Sequence, residues 1–253
     1  MGARIAVGLV KAGVIALAAL AHELPAEPAA AQQRDFLFGK PHVTVGARLG
    51  LAAPTAGSEV FDFTTEELTV KRGDFAAIDF EVELGVRLRD RLDLALNIGH
   101  SESNTRSEFR NWVGADDLPI EQTTRFALTP VTLGAKAYLK DRGRAVSRFA
   151  WVPDRWSPYA AAGGGLIVYK FSQHGEFVDY DTRDVFQATF TSEGVAPTLY
   201  GGAGIELSLG RSLLATGEVR YLWSRAGMSR DFVDFDAIDL SSRQLVLGLA
   251  VRF

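Results

Sequence analysis

The chain has 253 residues, 27 Lys and Arg against 31 Asp and Glu, and no cysteine. Without cysteine it has no disulfide scaffold, no thiolate zinc site, no Cys nucleophile and no acylated lipoprotein anchor. A formal charge of −4 excludes the broadly basic surface that a general nucleic-acid binder needs.

The chain opens with a short basic start, Met1 to Arg4. An apolar stretch runs from Ile5 to Ala21, interrupted by Lys11. Small-x-small sites end at Ala21 and Ala31. This is the layout of a secretory signal peptide, so residues 1–31 read as a signal for Sec export and 32–253 as the mature domain. Cleavage after Ala31 would leave the polar end Gln32-Gln33-Arg34. No later apolar run is long enough for a spanning helix, which takes about 20 residues.

Eight segments then alternate with period two. Val43, Val45, Ala47, Leu49 and Leu51 oppose Thr44, Gly46, Arg48 and Gly50. Ile78, Phe80, Val82, Leu84, Val86 and Leu88 oppose Asp79, Glu81, Glu83, Gly85 and Arg87. Leu92, Leu94, Leu96 and Ile98 oppose Asp93, Ala95 and Asn97. Val131 to Leu139 puts Thr132 and Lys136 on the polar side. Phe126 and Leu128 fall on the other count, which predicts a bulge at Pro130. In the next segment Tyr159, Ile167, Tyr169 and Phe171 form the apolar face. Leu199 to Leu209 sets Glu206 opposite its apolar face, and Leu213 to Trp223 sets Glu218 and Arg220 opposite. Leu245, Leu247, Leu249, Val251 and Phe253 oppose Arg252.

A transmembrane β-strand needs about 9 to 11 residues, and a soluble sandwich also alternates. Two features favour a membrane barrel. The polar faces carry Arg48, Arg87, Lys136, Lys170, Arg220 and Arg252 against Asp79, Glu81, Glu83, Asp93, Glu206 and Glu218. Equal numbers suit the packed interior of an eight-stranded barrel, where an unpaired charge costs several kcal/mol. Connections also alternate. Arg89 to Arg91 and Gly210-Arg211 are tight, whereas stretches near 52–74, 103–122, 172–195 and 224–239 are long and polar, the outer-membrane pattern. The prediction is an all-β fold, an eight-stranded antiparallel transmembrane β-barrel of up-and-down topology, in the outer membrane of a Gram-negative cell. Phe126, Tyr169, Phe171, Tyr221 and Trp223 are expected at the outer interface, and Tyr159, Phe253, Trp151 and Trp156 at the inner one.

On Ser157-Pro158-Tyr159 through Gly163-Gly164-Gly165, on Tyr200-Gly201-Gly202-Ala203-Gly204-Ile205-Glu206, and on Glu218-Val219-Arg220-Tyr221, the chain resembles the small outer-membrane barrels that include the OmpA transmembrane domain and the opacity-type surface antigens. The terminal Phe253 is similar to that family's signal for the barrel-assembly machinery. The resemblance covers most of the mature chain and implies architecture more than function. It implies surface exposure and partners among outer-membrane lipids and lipopolysaccharide.

Three candidate chemistries remain. His100-Ser101-Glu102-Ser103-Asn104 loosely resembles the outer-membrane lipid A deacylases, with the spacing one residue longer. A strand-end His at the interface is the simpler account, since a Ser nucleophile needs an oriented His within hydrogen-bond reach. Asp179, Asp181 and Asp184, and then Asp231, Asp234, Asp236 and Asp239 interleaved with Phe232 and Phe235, match no calcium loop. The second set reads as a solvated extension of the last hairpin. Neither a metal nor a cofactor is expected. The turn carrying Lys140, Arg142, Arg144, Arg148, Trp151, Arg155 and Trp156 is long and basic. It would suit anionic headgroups, stay loosely packed, or dock a periplasmic or surface protein. Gly163 to Gly165 lacks the Lys-Ser/Thr of a phosphate loop and lies within a strand, allowing close packing. The function expected is non-enzymatic, structural or surface-interacting, with a small-solute or hydrophobic-compound channel of the OmpW-like kind as the alternative and a lipid A hydrolase third.

Overall fold

The computed structural model describes residues 36–114 and 117–253; the signal segment and its cleavage site lie outside them. In chain order the elements are β1 (Leu37–Phe38), β2 (Val43–Pro54), α1 (Glu59–Glu67), β3 (Ala77–Arg89), β4 (Leu92–Val113), β5 (Pro119–Tyr138), β6 (Gly143–Ser147), β7 (Ala150–Pro153), β8 (Trp156–Val178), β9 (Val185–Ser208), β10 (Leu213–Ala226), β11 (Ile238–Asp239) and β12 (Ser242–Arg252). Eight long strands form a closed antiparallel ring, β2-β3-β4-β5-β8-β9-β10-β12, with β12 returning to β2. Closure pairs Leu245 with Leu51 and Val251 with Val45 on one seam, and Tyr221 with Gly201 on another. A closed ring satisfies the backbone polar groups without water, and no described helix is long and apolar enough to cross a membrane.

The ring is lopsided. Strands β4, β5, β8 and β9 run 20 to 24 residues, about twice what a bilayer needs. Strands β2, β3, β10 and β12 run 11 to 14. The stretches expected as loops near 103–122 and 172–195 are therefore largely strand, rising as two tall hairpins. The segment near 52–74 folds instead into α1 and a short 3-10 turn, Arg72–Phe75. The last hairpin is not extended. Its loop turns inward through Arg230–Phe232 and pairs β11 with the end of β10.

No bulge occurs at Pro130. β5 pairs with β8 without a register shift from Gln122 opposite Gly175 to Tyr138 opposite Tyr159. Parity is continuous, so Phe126 and Leu128 share the inward face with Thr132 and Lys136. What changes along the strand is the chemistry of the inward residues, from charged to aromatic.

At the short-turn end β1, β7 and β6 form a separate three-stranded sheet. Leu37 pairs with Trp151 and Ala145 with Trp151, and of the three Trp151 is buried against the ring.

Candidate functional site

The lumen is the site that the alternation builds, and it is filled at three levels. At the short-turn end Arg142 enters from the β5–β6 connection and forks onto Asp93, with Nη1 donating to Oδ2 at 2.5 Å and Nη2 to Oδ1 at 2.7 Å. Its guanidinium also lies 4.2 Å from the centre of the Tyr138 ring. Trp151 is buried, with Arg87 and Arg252 at 5.3 and 5.2 Å from its ring centre. Such stacking is favourable where water is excluded. A cavity of about 10 Å³ lies here, bounded by Arg87, Asp93, Arg142, Glu206 and Arg252, with room for about one water.

The middle level is an ion-pair network. Arg48 donates to Glu81 at 3.1 Å, to Glu218 at 3.3 Å and to Glu83. Lys136 donates to Glu83 at 2.5 Å and lies 4.6 Å from the centre of the Tyr159 ring. Arg220 pairs with Glu81, and its Nε donates to Gln244 at 2.7 Å. Tyr159 donates to Glu218 at 2.7 Å, and Tyr138 to Glu206 at 2.7 Å. Asp79 is fully buried above them, neither carboxylate oxygen accepting a hydrogen bond. Apart from Asp79, charges this deep are tolerated because each is met by an opposite charge or a hydroxyl. Room for the tyrosines comes from glycine: a Cβ on Gly134 or Gly163 would stand within 3 Å of Tyr200.

The upper level is aromatic. Phe61 of α1 points into the ring, 5.0, 5.3 and 5.6 Å from the centres of Phe75, Phe126 and Phe171, all edge-on. Ile120, Ile167, Tyr169, Phe232, Ile238 and Leu240 complete this core. Edge-on packing is the favoured geometry for rings. The helix is held by Gln173, whose Nε2 donates to Thr64 at 3.2 Å, and by the Asp239 amide donating to Ser58 at 3.1 Å.

Several expected placements are corrected. Phe126, Tyr159, Tyr169 and Phe171 do not face lipid; all four are at most 2% exposed and line the lumen. On β8 both faces are apolar, and the lipid side is made of Ala160, Ala162, Gly164, Leu166 and Val168. Tyr221, Trp223, Trp156 and Phe253 do face outward. Lys170 is also outward, 3.6 Å from Glu193, and its place among the interior cations is taken by Arg142. Of the basic turn, Arg142 and Trp151 seal the barrel. Lys140 pairs with Asp154 at 3.1 Å and lies over Trp156, and Arg144, Arg148 and Arg155 are exposed.

His100 and Ser103 point to opposite faces of β4. His100 Nδ1 meets the Thr129 hydroxyl at 2.9 Å, and Ser103 donates to the Phe126 carbonyl at 3.4 Å, so no His-Ser pair forms. Three of the aspartates accept hydrogen bonds from backbone amides. Asp179 accepts from the amides of Asp181 and Thr182, Asp231 from Thr191, and Asp239 from Gly57 and Ser241. Among the described residues no three metal-ligating side chains come together. Phe232 and Phe235 join the aromatic core instead of a solvated hairpin.

A closed ring of eight tilted strands, apolar toward lipid and packed within, defines the small outer-membrane β-barrel class. Solved structures include similar chains. The chain is similar to Neisserial surface protein A (NspA), with a TM-score of 0.50, 14% identity, and coverage of 83% of this chain and 97% of that one. OprG from Pseudomonas aeruginosa follows at TM-score 0.44, 12% identity, 86% and 99% coverage. Ail of Yersinia pestis, in complex with the heparin analogue sucrose octasulfate, gives 0.41, 11%, 84% and 99%. No protein-family model and no curated protein matches the chain. The chain thus has the fold of an eight-stranded antiparallel β-barrel, which it shares with a solved outer-membrane protein.

Proposed function

We propose that this protein is a non-conducting, non-enzymatic outer-membrane barrel that acts through its long-hairpin side at the cell surface, with the short-turn end in the periplasm. The observation that carries this reading is the sealed lumen. A trapped Trp151, an ionic middle and an aromatic top block the axis in series. The separation of His100 from Ser103 supports a non-catalytic role, because nucleophile and base must meet. Surface binding is supported by the two tall hairpins, which expose Val113, Tyr180, Val185 and Phe186, side chains that a purely structural barrel would keep polar. Phe253 stands exposed at the end of the closing strand, open to the assembly machinery during insertion.

Planar-bilayer recording tests the reading. The refolded protein should give no sustained single-channel openings. Stable, reproducible openings would overturn it in favour of a small-solute channel.

A further inference from the structure

The three-stranded sheet at the short-turn end gives the lumen one large side chain, Trp151 of β7. Its outer strand β6 has no such task. Every residue of β6 after Gly143 is exposed, and among the described residues no strand pairs with its second edge. The ladder fixes what that edge offers. The Asp154 amide donates to the Arg142 carbonyl at 2.8 Å. The register continues with Gly143 opposite Pro153, Arg144 opposite Val152 and Ala145 opposite Trp151. Hydrogen-bonded and non-hydrogen-bonded pairs alternate in an antiparallel ladder. The backbone of Arg144 therefore bonds back to β7, while the N–H and C=O groups of Gly143 and Ala145 face the free edge. An unpaired edge of this kind is a template for another strand.

The side chains around the edge say which strand it suits. Arg144 lies on the face of the sheet away from Trp151, because neighbours along a strand alternate. Arg148 lies 5.8 Å from the centre of the Phe149 ring, which stacks on Phe38 at 5.6 Å. Val146, Phe149 and Phe38 are all more than half exposed. The surrounding rim is cationic. Its three aspartates outside the lumen are already taken, Asp90 by Lys40 at 2.6 Å, Asp141 by Arg91 at 2.7 Å and Asp154 by Lys140 at 3.1 Å. Arg89, Arg144, Arg148, Arg155 and Arg211 are exposed at this end, and among the described residues none of the five has a salt bridge.

Resting on the orientation proposed above, which puts this end in the periplasm, we infer that β6 docks an acidic, extended segment of a periplasmic protein, added as a fourth strand to the small sheet. The backbone of the segment pairs with Gly143 and Ala145. Its carboxylates meet Arg144 and Arg148, and its apolar side chains lie on Val146, Phe149 and Phe38. In strand addition the main-chain bonds supply affinity and the side chains supply specificity. The arginines also select against a second copy of this chain, whose β6 would set like charges face to face. A phospholipid headgroup would meet a guanidinium but leave the edge amides unpaired.

The test uses the full barrel in phosphatidylcholine nanodiscs, its fold checked by the mobility shift of unheated protein on gels. The probe is a fluorescent peptide that alternates Glu with Val. It should bind, and the Gly143 and Ala145 amides should be protected from exchange in the complex. Arg144→Gln should weaken binding about threefold, the size of one exposed cross-strand ion pair. Ala145→Pro removes an outward N–H, which an edge strand tolerates, and should weaken binding at least as much. Arg110→Gln, the same charge change on a far hairpin, should leave it unchanged. The inference is overturned if a Glu-Pro peptide of equal charge or a Lys-Val peptide binds as well, if Ala145→Pro has no effect, or if Arg110→Gln matches Arg144→Gln. A small fraction of phosphatidylglycerol that displaces the peptide would assign the arginines to the inner leaflet and overturn it too. Folded protein that leaves the peptide unbound overturns the inference alone. The chain has no cysteine, so Gly210→Cys in the β9–β10 turn gives a single label site. Its labelling by an impermeant maleimide on intact cells would overturn the orientation beneath the inference.

Discussion

The lower and upper halves of the lumen are lined by the same strands at the same parity, yet they are held together by opposite means. Below, Arg48, Lys136 and Arg220 are locked to Glu81, Glu83 and Glu218. Above, Phe61 is wedged among Phe75, Phe126 and Phe171. An ionic network fixes one geometry, because each group left alone in a buried site is strongly penalised. An aromatic core is more forgiving, since its energy follows buried area and packing. The ionic level is built from the wall alone, whereas the aromatic level needs a visitor, α1. The barrel therefore has a seal intrinsic to its strands and a second seal that depends on a loop.

Three measurements can break or sharpen that contrast. The largest effect should come from Arg48→Met, which leaves Glu81, Glu83 and Glu218 without their shared cation. Removing one partner of a buried pair costs about 3–5 kcal/mol, read as a lower urea midpoint in detergent micelles. Refilling by methionine with no change in midpoint would show that the network is not what holds the lower half. Next, Phe61→Ala should cost about 3 kcal/mol, at the low end for a buried Phe, because α1 can settle toward the gap. This variant should still not conduct, because the ionic level remains. Sustained openings would place the only seal in the upper half. The smallest effect concerns the β8–β9 tip. Hydrogen bonds from the Thr182 and Asp181 amides hold the Asp179 carboxyl below its ordinary range. A depressed carboxylate stabilises the turn above its unfolded value near 3.9 and loses that contribution as pH falls further. The protection of the Thr182 amide, measured against its intrinsic exchange rate, should fall below about pH 4, and Asp179→Asn should abolish that pH dependence.

Much of the architecture was legible because a strand exposes its burial pattern every second residue. On β3 the charged face of Asp79, Glu81 and Glu83 lies against Phe80, Val82 and Leu84, so the two sides differ sharply. On β8 they do not. Tyr159, Ile167, Tyr169 and Phe171 oppose Ala, Gly, Leu and Val, and apolar content alone cannot tell lumen from lipid. Counting by two from Lys136 through Thr132 reaches Leu128 and Phe126 unbroken, and that signal would have placed both inside. The role of Trp151 was hidden for another reason. Its partners Arg87 and Arg252 are far away in sequence, and only ring closure brings them to it. Likewise α1 has a weak pattern of its own, and its one decisive residue, Phe61, is defined by a cavity that the strands create.

The stopper at the short-turn end has an implication for the order in which the molecule is made. Trp151 is gripped by Arg87 of the second ring strand and by Arg252 of the eighth, while Leu37 joins the same small sheet. The His42 amide donates to the Phe253 carbonyl at 2.6 Å alongside. Nothing can cork this vessel until its final stave is in place, so watertightness arrives as the last event of assembly and a half-built wall stays open underneath.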